Sequence, residues 1–214
     1  MENRYDEGDR AVLWWFVSSV LWFAVFSTFG FILAIKFFAP TFLSDSIWWT
    51  FGRVRPAHVN GVAFGFLSSG LVGAMFYIAP RLCGISLRLP KLAKATSILW
   101  NGAVLIGIIL ILMGYSQGRE YAELPWVIDV AVLITLLLFT VIIFSTLIAR
   151  KEKKLYVSLW YFAGTVLWFP VVYCIGNVMW RVPEGALNGT TDAIFNWYYG
   201  HNVLGLWFTT LGIP

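Results

Sequence analysis

Charge is scarce in this sequence. Of its 214 residues only 12% are Asp, Glu, Lys or Arg, while 59% are apolar; a soluble domain carries about 25% charge. So few charges cannot cover a water-facing surface, which excludes an ordinary soluble domain. Cysteine is scarcer still. Cys83 and Cys174 form neither a CxxC pair nor a haem-attachment motif, so no disulfide framework is implied and both read as small buried hydrophobes. Histidine is limited to His58 and His201. No internal repeat or low-complexity segment is present. What is abundant is aromatic: 18 Phe, 12 Trp and 9 Tyr.

The net charge of +4 is not a nucleic-acid footprint. The basic residues stand in short clusters between apolar runs, with no aromatic interleaving, as membrane topology arranges them. Crossing the hydrocarbon takes roughly 20 apolar residues in a helix. Six stretches qualify, at about 11–37, 58–80, 93–115, 125–148, 156–180 and 193–214. They are apolar on all sides, unlike the alternating strands of a barrel, so the expected fold is all-α and polytopic. Residues 2–10 mix acid and base, and the apolar run after them is longer than the roughly 7–15 residues of a signal-peptide core. That run reads as the first span.

Arg81, Arg88, Lys91 and Lys94 lie in one connection, and Arg150, Lys151, Lys153 and Lys154 in another. The intervening connections are poorer in cations: 38–57 holds Arg53 and Arg55, 116–124 only Arg119, and 181–192 only Arg181. The positive-inside rule then puts the N-terminus, 81–94 and 149–155 in the cytoplasm. Asn188-Gly189-Thr190 fits a glycosylation sequon on an outward loop, a triplet common by chance.

Both histidines fall in or at the start of predicted spans, and an ionisable group in a membrane is a functional hypothesis by default. The alternative is a histidine that hydrogen-bonds between helices as packing glue. With the predicted orientation both imidazoles lie in the outer half of the bilayer, and neutral imidazole is a common metal and haem ligand. Pro56 suits a helix's first turn. Arg53 and Arg55 would then stand about a turn above His58, placed either to pair with the propionates of a haem or to snorkel to the interface. Gly61, Gly65, Ser68, Ser69, Gly70 and Gly73 let a second helix, or a flat macrocycle, approach closely. Gly200 and Gly205 flank His201, which alone cannot complete a metal site. Glu120 and Glu123, three apart on an outward loop, suit a hard cation, a basic cluster or plain solvation.

Four segments carry a specific resemblance. GRVRPAHVNGVAFGF, GREYAELPWVIDV, KEKKLYV and DAIFNWYYGHNVLGLWFTT, in that order and covering nearly the whole chain, resemble the catalytic subunit of cbb-type (C-family) haem–copper cytochrome c oxidases. Membrane-bound nitric oxide reductases are the nearest confusable relatives.

The resemblance implies roles residue by residue. His58 is the axial ligand of a low-spin haem b, Arg53 and Arg55 pair with haem propionates, His201 is a copper ligand, and Glu120 with Glu123 belongs to a calcium site. It implies reduction of O2 to water with electrons from cytochrome c, coupled to proton pumping in a bacterial inner membrane. It also implies that these helices form half of a twelve-helix core, with high-spin haem and copper shared with a polypeptide carrying the remaining helices, beside membrane-anchored cytochrome c subunits. No histidine here supplies the other ligands, so the sequence by itself is not expected to reduce oxygen. Two rivals follow from the histidine count: a small cytochrome b with one haem between His58 and His201, and a scaffold subunit with no cofactor. Half of a nitric oxide reductase core is a further alternative.

Overall fold

The computed structural model describes residues 6–179, 187 and 189–214. Arg181 and Asn188, and with Asn188 the sequon, lie outside the described residues. Among those described, secondary structure is helical with no strand. The membrane helices are α1 (Glu7–Phe38), α2 (Phe51–Leu82), α3 (Pro90–Met113), α4 (Trp126–Ile148) and α5 (Val157–Val178). A sixth helix, α6, spans residues 189–212. Among the described residues the first five are long and apolar enough to cross a membrane. The polar side chains of Asp192, Asn196, His201 and Asn202 dilute the apolar run of α6.

Local chemistry sets the ends. Asp6 caps α1, its carboxylate accepting from the Asp9 amide at 2.7 Å, with Glu7 and Asp9 at the positive end of the helix dipole. Pro90 opens α3 where a missing N–H costs nothing. Gly114, at φ 100°, closes it in the left-handed conformation. Helix α2 begins at Phe51, seven residues before the expected start of the span, so Pro56 sits in the second turn and His58 about two turns in.

Helices α2, α5 and α6 each contain a π segment: Gly61–Leu67, Cys174–Val178 and Val203–Phe208. A π turn breaks the i→i−4 ladder and leaves carbonyls under-bonded, which hydrocarbon does not forgive. Side chains make up the deficit. The Phe64 carbonyl accepts from Trp100 Nε1 at 2.8 Å and the Phe66 carbonyl from Ser19 Oγ at 2.9 Å. The Ala63 and Leu204 carbonyls, already bonded to the Ser68 and Thr209 amides, take the hydroxyls of the same residues as well, at 2.9 and 2.8 Å. In the middle segment the Gly176 carbonyl accepts from Arg119 Nη1 at 2.8 Å and the Val178 carbonyl from Trp126 Nε1 at 3.2 Å.

The glycines of α2 are the landing strip of α1. A Cβ on Gly61 would stand 2.2 Å from the ring of Phe26, one on Gly65 2.5 Å from Trp22, one on Gly70 3.0 Å from Ser19 Oγ and one on Gly73 3.1 Å from Trp15. The small-residue stripe therefore receives a helix. Beneath it an aromatic core joins the other helices: Trp207 stacks on Trp100 at 6.1 Å, on Phe139 at 6.4 Å and on Phe169 at 4.7 Å, and its indole N–H donates to Ser68 Oγ at 2.9 Å. At one end of the bundle Arg81 pairs with Asp9 at 2.8 Å, and the Lys151 amide donates to the Cys83 carbonyl at 3.0 Å. The N-terminal segment and both strongly basic connections thus share one end.

Gly61→Ala is expected to lower stability by about 1–3 kcal/mol, the cost of overpacking a close contact, whereas Gly52→Ala, whose Cβ meets nothing within 4 Å, does not lower it, alanine being the better helix former. Thermal melts of the two variants in detergent check this; equal midpoints would contradict the landing-strip account.

Candidate functional site

The polar residues at the opposite end of the bundle gather around the connection 114–125. Arg55 forms a two-pronged ion pair with Glu120, Nη2 to Oε1 at 2.6 Å and Nη1 to Oε2 at 3.3 Å. Both side chains remain partly exposed, 45% and 31%, which keeps the pair in the range of about 0–1 kcal/mol. Arg53 points elsewhere. Its Nη1 donates to the Leu112 carbonyl at 2.9 Å, and a Cβ on Gly114 would lie 2.9 Å from its Nη2. It caps the C-terminal end of α3, where the orphan carbonyls and the dipole favour a cation.

Glu123 is buried, and its Oε2 accepts from Asn60 Nδ2 at 3.1 Å. Burial pushes its carboxyl above the ordinary carboxylate range, and the neighbouring Glu120 charge pushes the same way, against the lowering effect of the Asn60 hydrogen bond. The expected pair of loop carboxylates is therefore split: Glu120 faces a guanidinium and Glu123 faces an amide. No group of three or more His, Cys, Asp or Glu able to hold a metal occurs among the described residues.

His58 lies on α2 where α1 crosses it. Its Nδ1 is 2.8 Å from the Phe26 carbonyl. The imidazole ring rests on Gly30, where a Cβ would come within 2.7 Å of Cε1. With Nδ1 protonated toward that carbonyl, Nε2 carries the lone pair, and it has no hydrogen bond among the described residues. An imidazole anchored through one nitrogen keeps a fixed ring orientation and leaves the other nitrogen's lone pair for a proton donor or a metal. His201 is exposed on α6; a Cβ on Gly205 would be 3.9 Å from its Nε2. Each histidine stands at the end of an α segment, three residues before the π segment of α2 and two before that of α6.

Several residues the sequence reading did not single out as site candidates belong to the same end. Arg119, besides its bond to Gly176, lies 3.2 Å from Asp192 and ties the loop to α6. Asp129, fully buried, accepts the Tyr173 hydroxyl at 2.8 Å and the Gln117 amide at 3.4 Å. An aspartate near the start of a run as apolar as 125–148 is the signal that marks it. Asn60, one turn after Pro56, carried no such mark.

Residues 10–213 match the family model described as Cytochrome C and Quinol oxidase polypeptide I. Among curated relatives, the "Cbb3-type cytochrome c oxidase subunit CcoN1" of Stutzerimonas stutzeri is 34% identical over 205 residues, 92% of this chain and 43% of that protein. The "Cytochrome c oxidase subunit 1 homolog" of Azorhizobium caulinodans is 31% identical over 198 residues, 89% of this chain and 36% of the relative. The bacteroid "Cytochrome c oxidase subunit 1 homolog" of Bradyrhizobium diazoefficiens is 29% identical over 186 residues, 84% and 34%. The chain thus spans less than half the length of these relatives.

The raised Glu123 pKa has a defined sign. The folded protein holds this proton more tightly than the unfolded chain, so its stabilising contribution is complete at acid pH. It is lost as pH rises through the folded-state value. Glu123→Gln removes that loss. Its melting temperature relative to the parent is expected to climb with pH, measured in chelator-containing buffers from acid to neutral; parallel curves would refute the assignment.

Proposed function

The chain belongs to the cytochrome c and quinol oxidase polypeptide I family and is a multi-pass protein of a bacterial inner membrane; from that premise we propose that it contributes the N-terminal helices of a terminal oxidase core. That core takes electrons from cytochrome c, reduces O2 to water and pumps protons. The partners are a polypeptide region carrying the remaining core helices, membrane-anchored cytochrome c subunits and the lipid bilayer. The helices α1 to α6 span the membrane, with the basic end in the cytoplasm and the connection 114–125 outside.

The observation that carries the reading is His58. Its Nδ1 anchored to the Phe26 carbonyl and its ring seated on Gly30 fit an imidazole whose Nε2 holds the iron of a low-spin haem b. A haem held there would supply one-electron transfer. The chain's own part is to fix the ring and offer Arg55 at the outer mouth for an anionic propionate. His201, exposed on α6, offers one imidazole to a copper. The rest of that copper site and the high-spin haem take their ligands from outside these residues, which hold no third histidine.

Glu120 and Glu123 are the carboxylates we would assign to a calcium ion: both oxygens of Glu120 face Arg55 and one oxygen of Glu123 faces Asn60, so a cation bound there would take the place of the guanidinium beside Glu120. A haem shared by His58 and His201 gains no support, since His58 is packed against α1 and His201 stands on an exposed face of α6; a cofactor-free scaffold would also bond His58 to the Phe26 carbonyl, and the spectra of the variants below separate it from the haem reading.

In the purified assembly, His58→Ala is expected to abolish the low-spin haem b band of the reduced-minus-oxidised spectrum. His201→Ala is expected to lose copper while keeping that band. Intact spectra and metal content in both variants would remove the assignments. Gly30→Ala, which drives a Cβ against the His58 ring, is expected to weaken haem b retention by about tenfold, the scale of effects on groups that orient a ligand, with copper unchanged. Haem titration of the variant reads this, and unaltered retention would show that the ring is not set by Gly30.

A further inference from the structure

At the basic end of the bundle, α1 and α3 leave a groove between their first turns. Its cavity is about 310 Å3 and is lined by Glu7, Arg10, Leu13, Trp14, Lys91 and Lys94, with Pro90 at one edge. Among the described residues Lys91 and Lys94 stand together on the α3 side of the groove. Lys94 is not extended freely into solvent: its Nζ stands 5.0 Å above the ring of Trp14, a cation–π contact that holds the ammonium at the edge of the groove. The walls below are apolar and open. Leu13 is 57% exposed and Trp14 51%, and the strip continues down α1 through exposed Val17 and Leu21 and down α3 through Ile98, one turn below Lys94.

Cations above and an uninterrupted apolar track below describe an amphiphile with an anionic head. We propose that this groove binds an anionic phospholipid, its phosphate held by Lys91 and Lys94 and an acyl chain lying along Leu13, Val17 and Leu21. Basic pockets between membrane helices on the side of the anionic leaflet take such headgroups, and a Trp at this depth sits where its ring is half in water and half in hydrocarbon. A free phosphate would use the lysines and leave the apolar track idle, so the track selects the lipid.

The test uses the purified assembly in phosphatidylcholine nanodiscs, which present the same lipid on both faces and so make the outcome independent of the chain's orientation. Spin-labelled phosphatidylglycerol is added as probe, and its motionally restricted fraction is titrated against spin-labelled phosphatidylcholine. The parent protein is expected to retain phosphatidylglycerol selectively. Lys91→Ala/Lys94→Ala is expected to weaken that selectivity roughly thirtyfold, two lysines near the surface each contributing a factor of about five. Lys153→Ala/Lys154→Ala removes two exposed lysines of the other basic connection and is expected to change nothing. Inorganic phosphate is expected not to displace the probe. Parent-like selectivity in the Lys91/Lys94 variant would overturn the proposal, as would an equal loss in the Lys153/Lys154 variant, which would reduce the effect to overall charge. Full displacement by inorganic phosphate would show a phosphate site without a lipid.

Discussion

Hydrocarbon offers no water to a backbone carbonyl, and much of this structure follows from that. A buried polar group left unmade costs about 1–3 kcal/mol even in a soluble protein, and more in lipid. Among the described residues three of the six helices nevertheless carry a π segment, where the i→i−4 ladder is interrupted. In α2 and α5 carbonyls of these segments are met from another helix or connection: Trp100 and Ser19 at Phe64 and Phe66, Arg119 at Gly176, Trp126 at Val178. Those bonds are also what lock the helices together. The indole groups serve twice, since the apolar ring fills the core while the N–H closes the backbone account. Helix–helix specificity here comes from satisfying irregular backbone as much as from shape.

The same segments govern where the imidazoles sit. His58 and His201 each end a regular α stretch, and the widened turn begins within three residues. A π turn advances the chain with an extra residue per turn, so residues on either side of it keep faces that a continuous 3.6-residue helix would rotate apart. In α2 this lets His58 and Gly61 lie against α1 while Phe64 and Ser68 present their groups to Trp100 and Trp207.

Hydropathy made the bundle legible, because a run of apolar residues long enough to cross lipid has few alternatives to a helix. The glycine stripe of α2 was legible as a close-approach surface, but not its occupant. That answer lay in the partner sequence: Trp15, Ser19, Trp22 and Phe26 recur at helical spacing on α1 and meet Gly73, Gly70, Gly65 and Gly61 in reverse order. Complementary stripes on two helices are a tertiary match, which a reading of one segment at a time does not reach. The start of α2 was misplaced for a related reason. Gly52, Arg53 and Arg55 are polar or flexible enough to read as loop, yet Arg53 is held by the end of α3 and Arg55 by Glu120, so tertiary partners extend the helix past its apolar limit. The π segments had only a faint mark, a glycine in or beside each.

The Arg-Val-Arg triplet shows how a motif divides once it is folded. Residues two apart on a helix point about 200° around the axis from one another, so Arg53 and Arg55 leave α2 in different directions. Arg53 donates to the Leu112 carbonyl at the end of α3, where the helix dipole favours a cation. Arg55 stays at the mouth, and Glu120 balances its charge. A guanidinium has five N–H donors in a planar fork, and the ion pair with Glu120 uses those of Nη1 and Nη2 along one edge. An anionic group arriving beside His58 therefore meets a cation already oriented and partly neutralised. It must share the fork or displace the carboxylate. The connection 114–125 is thereby tied through Glu120 to the arginine one turn from His58.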